Sequence, residues 1–132
     1  MLVFALAAFV APPLATAGEK PITHEDLWLM RRVGAPAPSP DGKWVAFSVT
    51  EPAYDEKEQI SDLWLVPVEG GTSPKRLTYS KGSEGDLAWS PDSRKLAFTA
   101  KREGDEVNQI YVLDLATGGE SVRISSLSTG AS

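Results

Sequence analysis

Apolar and polar positions alternate through Val45-Ala46-Phe47-Ser48-Val49, and the alternation returns in Leu96-Ala97-Phe98-Thr99-Ala100. A two-residue period predicts β-strands. In both segments the first, third and fifth residues share one face, while a small alanine, Ala46 or Ala97, lies on the other. Both faces are therefore expected to pack, the small residues letting a neighbouring sheet approach closely. Further strands are expected over residues 63–68 and 110–115, with Trp64 equivalent to Tyr111. Gly70-Gly71 and Gly118-Gly119 then turn the chain toward short outer strands around Leu77 and Ile124. Asp86-Leu87-Ala88-Trp89 is expected to be the inner strand that opens the second unit.

These elements belong to a repeat. Ser39-Pro40-Asp41-Gly42 ahead of the first strand returns as Ser90-Pro91-Asp92-Ser93, at an offset of 51 residues. Leu63-Trp64-Leu65-Val66 returns as Ile110-Tyr111-Val112-Leu113, and Arg76-Leu77-Thr78 as Arg123-Ile124-Ser125, both at an offset of 47. The change of offset places the one length difference in the segment 50–61, four residues longer than 101–108. In the Ser-Pro-Asp turns, Pro presets φ, Asp bonds nearby amides, and Gly42 can take the positive φ of a tight hairpin. Ser93 must avoid that conformation or accept modest strain.

A unit of about fifty residues containing several strands predicts β-propeller blades. The fold class read from the sequence is all-β: two four-stranded blades of an incomplete propeller, preceded by a signal peptide and a short helix. A two-sheet sandwich with similar hairpins is the alternative. Residues 1–17 are read as the signal peptide, 18–34 as a lead-in with the helix, 35–80 and 81–125 as the blades, and 126–132 as the start of a further blade or a linker. Two blades fall short of the about four that close the smallest ring, so a larger parent is expected. By itself the piece should expose an apolar face and an unpaired strand edge, and associate.

The leader rests on the apolar run 2–11 and the small-x-small Ala15-Thr16-Ala17 ahead of a cut before Gly18. That run is shorter than the roughly twenty residues needed to span a bilayer, so no permanent membrane segment is expected. Thr23 is the expected N-cap of the short helix, with Asp26 completing a capping box. Leu27, Trp28 and Met30 should bury one side of it, and Gly34 with Pro36 should end it.

Composition removes several chemistries. A net charge of −5, with basic residues only in isolated pairs, argues against a nucleic-acid partner. With no cysteine and one histidine, neither a thiolate nor a typical zinc site can form. His24 has no evident catalytic partner, no Gly-x-Ser-x-Gly elbow occurs, and no phosphate-cradling glycine loop is present. Glu51, Asp55, Glu56 and Glu58 beside Tyr54 lack the spacing of a calcium loop and read as a solvated hairpin connection. No catalytic residue, metal ligand or cofactor is assigned, and the chain alone is expected to be catalytically silent.

Residues 39–47 and 89–98 resemble the Ser-Pro-Asp-Gly blade repeat shared by TolB-type propellers and the N-terminal propellers of the prolyl oligopeptidase family of serine peptidases. The lead-in, Ile22-Thr23-His24-Glu25-Asp26-Leu27 through Arg32-Val33, together with Asp62-Leu63-Trp64-Leu65-Val66 and Arg76-Leu77-Thr78, is similar to the acylaminoacyl-peptidase-like and dipeptidyl-peptidase-like bacterial branch. The resemblance spans residues 22–125. It implies an exported parent whose C-terminal α/β-hydrolase domain carries Ser, Asp and His, and whose propeller admits peptide substrates and excludes folded proteins. No residue here matches the triad motifs, and nothing licenses assigning Glu56 or Glu58 to substrate binding. A TolB-like propeller that binds protein partners without catalysis is the alternative.

Overall fold

The computed structural model describes residues 20–131; the expected leader, 1–17, lies outside them. Helix α1 (His24–Trp28) is followed by nine strands: β1 (Arg32–Val33), β2 (Ala37–Pro38), β3 (Trp44–Glu51), β4 (Ile60–Pro67), β5 (Lys75–Arg76), β6 (Glu84–Trp89), β7 (Lys95–Ala100), β8 (Gln109–Asp114) and β9 (Val122–Arg123). They form two antiparallel sheets. In the first, β1 and β2 pair in succession along β3, followed by β4 and β5; the second runs β6-β7-β8-β9. Each sheet therefore has four strand positions, the innermost of which is irregular. In the second sheet that irregularity is a register shift between Gly85 and Ala88, with Asp86 at φ 49°. In the first it is the gap between β1 and β2, which falls at the equivalent residues 34–36.

The helix is shorter than expected and ends elsewhere. Thr23 and Asp26 form the capping box, but α1 stops at Trp28 with Leu29 as C-cap, and none of its residues is buried. Gly34 and Pro36 do not terminate it, because β1 already lies between the helix and these residues, which form the gap between β1 and β2. Gly34 N–H bonds the carbonyl of Ser48 at 2.8 Å, and a Cβ on Gly34 would lie 2.2 Å from Ser48 Oγ. A side chain at this position would make the Ser48 hydroxyl rotate away, while the Ser48 carbonyl, 3.7 Å from that Cβ, leaves room for it.

The longer first hairpin was expected to carry its extra residues as loop. They instead extend the ladder: Thr50↔Ser61 and Glu51↔Ile60 pair beyond Val49↔Asp62, whereas the second hairpin ends at the equivalent Ala100↔Gln109. The connections 52–59 and 101–108 are equal in length. Ladder pairing satisfies backbone groups that a loop would have to expose.

One core lies between the sheets. Ala46, Leu63 and Leu65 from the small-residue face of the first sheet pack against Leu96, Phe98, Ala100, Tyr111 and Leu113 from the large-residue face of the second. Equivalent positions thus have unlike fates. Leu96 and Phe98 are buried, but Val45 and Phe47 are only half-buried; Ala46 is buried, but Ala97 is only half-buried. Face-to-face stacking of successive repeats in one direction, not closure of a single sandwich, produces this asymmetry. Polar contacts between the sheets reinforce it: Trp89 Nε1 donates to the carbonyl of Ala37 at 2.8 Å, and Ser61 Oγ donates to the carbonyl of Glu84 at 3.1 Å.

Candidate functional site

Both Ser-Pro-Asp turns close by the same hydrogen bonds. Ser39 Oγ donates to Asp41 Oδ1 at 2.6 Å and accepts from Trp44 N–H at 3.0 Å, while Asp41 Oδ1 also accepts from Lys43 N–H. Ser90, Asp92, Arg94 and Lys95 repeat the arrangement. The serine hydroxyl, then the backbone amide, hold the carboxyls of Asp41 and Asp92 below their ordinary range. Gly42 sits at φ 70°, and Ser93 accepts the left-handed conformation at φ 57°. Ser93 has a use there, since its Oγ accepts from Asp41 N–H of the other turn at 3.0 Å. These hydroxyls and carboxylates are committed to the backbone and are not a nucleophile and base.

A second repeated device fastens the outer strand. Asp62, buried on β4, accepts from Ser80 N–H at 3.1 Å and pairs with Arg76, whose Nε donates to the carbonyl of Thr78. Thr78 Oγ1 in turn accepts from Leu63 N–H at 2.9 Å. At the 47-residue offset, Gln109 Oε1 accepts from Leu127 N–H and Ser125 Oγ, Ser125 Oγ accepts from Ile110 N–H, and Arg123 Nε donates to the carbonyl of Ser125. The Arg-x-Thr/Ser recurrence was visible in the sequence. Its buried partners Asp62 and Gln109 were missed, although they recur at the same offset.

The hairpin 100–109 holds a charged cluster without counterpart in the first sheet. Asp105 accepts from the Tyr111 hydroxyl at 2.6 Å and from Arg102 N–H, and pairs with Arg123 at 2.8 Å. Arg102 lies over the Tyr111 ring, 4.5 Å from its centroid, and pairs with the buried Glu84 at 2.7 Å. Glu84 Oε2 and Arg102 Nε are buried beside that contact without hydrogen-bond partners. The Tyr111 hydroxyl is the largest influence lowering the Asp105 carboxyl; burial and then Asp105 raise the Tyr111 phenol.

An acid dependence follows. A carboxyl held low in the folded state contributes stability above its unfolded value, about 3.9, and loses that contribution as pH falls through its folded value. Urea midpoints are therefore expected to be flat from neutral pH down to about 5 and to fall steeply below about 4. Asp105→Asn should make that acid limb shallower, the remainder coming from Asp41, Asp92 and the other carboxyls held low. An acid limb as steep as the parent's in the variant would assign the effect to other carboxyls.

The residues singled out for chemistry do not converge. His24 is exposed on α1, and among the described residues no acidic side chain bonds it. Glu51 pairs with Arg31 at 3.1 Å, Asp55 accepts from Lys57 N–H, and the Tyr54 hydroxyl donates to Glu25, tying α1 to the first hairpin connection. No group of three or more metal-ligating side chains occurs among the described residues. An open cleft of about 610 Å³ lies between the outer edges of the sheets, lined by Tyr79, Lys81, Gly82, Lys101, Arg102 and Glu120 among others. Thr78 and Ser80 also line it, but their hydroxyls bond within the sheet and the linker. The cleft can hold water and polar groups, and among the described residues no hydrogen bond joins one of its hydroxyls to a carboxylate or amine that lines it. Among the described residues, no helix is long and apolar enough to cross a membrane.

The chain is similar to the uncharacterized peptidase YuxL of Bacillus subtilis, with 31% identity over 115 residues that cover 86% of this chain and 17% of the relative. It is also similar to dipeptidyl-peptidase 5 of Porphyromonas gingivalis, 28% identical over 97 residues, 74% of this chain and 14% of the relative. Among solved structures it matches TolB from Acinetobacter baumannii with a TM-score of 0.55 and 29% identity, over 71% of this chain and 21% of that one. No family model matches. The chain spans about a sixth of the length of the curated relatives it matches.

Proposed function

We propose that residues 35–80 and 81–125 are the first two propeller blades of an exported serine peptidase of the prolyl oligopeptidase type, with 1–17 as its leader and 18–34 as the lead-in. The observation that carries this reading is the likeness to a peptidase across 86% of the chain, running through the lead-in as well as the blades. In this reading the two sheets are part of the frame of a propeller that gates access to a catalytic domain elsewhere in the parent. That domain would hold the nucleophile, its base and the oxyanion hole, and its substrates would be peptides small or unfolded enough to enter. The path of residues 125–131 supports a continuing ring. Gln109 holds Leu127 N–H as Asp62 holds Ser80 N–H, and Ala131 N–H bonds the carbonyl of Asn108, so the chain leaves the second sheet as it left the first.

A non-catalytic propeller is the second reading, favoured by the TolB match at a TM-score of 0.55. The full-length parent separates the two. A peptidase is expected to label with a fluorophosphonate and to cleave short peptides while sparing folded proteins; the 132-residue chain should do neither. A parent that does not label, hydrolyses no peptide and copurifies with envelope proteins would overturn the peptidase reading. Export is tested separately: the N-terminus of the mature protein should be Gly18.

A further inference from the structure

A second cleft, of about 500 Å³, opens between the sheets at the end where the Ser-Pro-Asp turns lie. Its walls are apolar: Trp44 where β3 begins, Leu65 and Pro67 at the end of β4, Leu77 just past β5 and Leu115 just past β8. The charged side chains that line it are Lys75 and Arg94, and no carboxylate joins them. In a chain of net charge −5 this is a local reversal of sign. Among the described residues, neither Lys75 nor Arg94 forms an ion pair. The carboxylates nearest Arg94 along the chain and across the ladder are engaged in their own turns. Asp92 accepts from Ser90 Oγ and Arg94 N–H, and Asp114 accepts from Ala116 and Thr117 N–H. Ser93 Oγ, accepting from Asp41 N–H, ties the two turns together beside the opening.

A groove that merely follows from stacking would carry the same lining in each repeat. This one does not. At the positions of the second sheet equivalent to Trp44, Pro67, Ser73 and Lys75 stand Lys95, Asp114, Glu120 and Val122. Two apolar walls have become charged, the lysine has become apolar, and two carboxylates have entered. The second repeat therefore lacks both the apolar walls and the positive charge that the first repeat brings to this cleft.

We propose that the cleft binds an apolar monocarboxylate, its body between Trp44, Pro67 and Leu115 and its carboxylate facing Lys75 and Arg94. Apolar walls with a few convergent polar groups, in a volume of this size, are the usual makings of a small-ligand site. Free organic acids and the carboxyl end of a peptide share this chemistry. All of the lining residues fall within 44–116, and blades that follow would stack on the other face of the second sheet. The inference thus stands on the two sheets and not on the peptidase reading, so either can fail alone.

The test titrates the full-length parent by calorimetry with decanoate and with N-acetylphenylalanine, each beside its uncharged amide. At least one acid is expected to bind about tenfold or more tighter than its amide, the worth of a hydrogen bond to a charged group. Decanoate alone would identify free acids as the ligand, and N-acetylphenylalanine alone would identify peptide carboxyl ends. Lys75→Val with Arg94→Gln should remove that preference, while Lys75→Arg alone should keep it; all three changes fall on exposed side chains and should leave the fold intact. Binding should also shift tryptophan emission, and Trp44→Phe should abolish most of that shift. A parent that binds neither acid, or binds acid and amide alike, would overturn the proposal. So would a preference that survives the double change, or an emission shift that Trp44→Phe leaves untouched.

Discussion

Truncating Phe98 to alanine is expected to lower the unfolding free energy by about 3–5 kcal/mol, while the same change at its repeat mate Phe47 should cost less than about 2 kcal/mol. The two phenylalanines occupy the same strand position and follow the same alanine, so strand propensity and local sequence nearly cancel between them. What differs is the neighbour. Phe98 is 1% exposed in the middle of the joint between sheets, stacked on Tyr111 at 6.0 Å between ring centroids and facing the small-residue side of the first sheet. Its removal takes away transfer free energy and leaves a cavity that two sheets held by their own hydrogen bonds cannot collapse around. Phe47, beside Trp64 in the register, keeps part of its surface in water in the folded chain and has less to lose. Urea unfolding followed by tryptophan fluorescence, at a concentration low enough to suppress association, measures both losses. Equal losses would show that the two sheets do not stack in the one direction described.

That contrast marks where sequence reasoning reaches its limit. The strands, their phase, the Ser-Pro-Asp hairpins and the Thr23 capping box could be read because each depends on residues within a turn or two along the chain. The two large-residue faces, in contrast, read alike in sequence, and only the order in which sheets stack decides that Leu96 and Phe98 are enclosed and Val45 and Phe47 are not. Charge and a proline dominate the stretch 51–58 and give no period-two signal for a strand. Cross-strand pairing carried the ladder to Glu51 and Ile60 despite that composition. Helix α1 was credited with a buried face, yet Leu27 and Met30 are 55% and 53% exposed. A three-residue apolar pattern says that a face exists and cannot say what lies opposite. Glu84 and Arg102 went unremarked for the same reason: they are distant in sequence, and Glu84 stands where the first repeat has Val33, so comparing the copies hid the pair.

Asp62→Ala is expected to cost about 3–5 kcal/mol, the other large loss in the molecule. The change removes one charge from the pair with Arg76 and strips the acceptor from Ser80 N–H at the point where the chain leaves the first sheet for the second. The side chain of Asp62 is 3% exposed and that of Arg76 is 30% exposed, so the abandoned guanidinium can recover part of its hydration, which places the loss toward the lower end of that range. Asp62→Asn separates charge from hydrogen bonding. Gln109, the same position one repeat later, holds Leu127 N–H and the Ser125 hydroxyl with a neutral amide. An asparagine that retains the Ser80 contact should therefore cost only about 1 kcal/mol. A loss as large for asparagine as for alanine would mean that the carboxylate's charge on Arg76 holds the outer strand and that the amide of Gln109 is no equivalent. A small loss for both would remove the clasp as the device that fixes where one sheet hands the chain to the next. With that device gone, the likeness between the exit at residues 125–131 and the exit at 78–84 would no longer support a continuing ring.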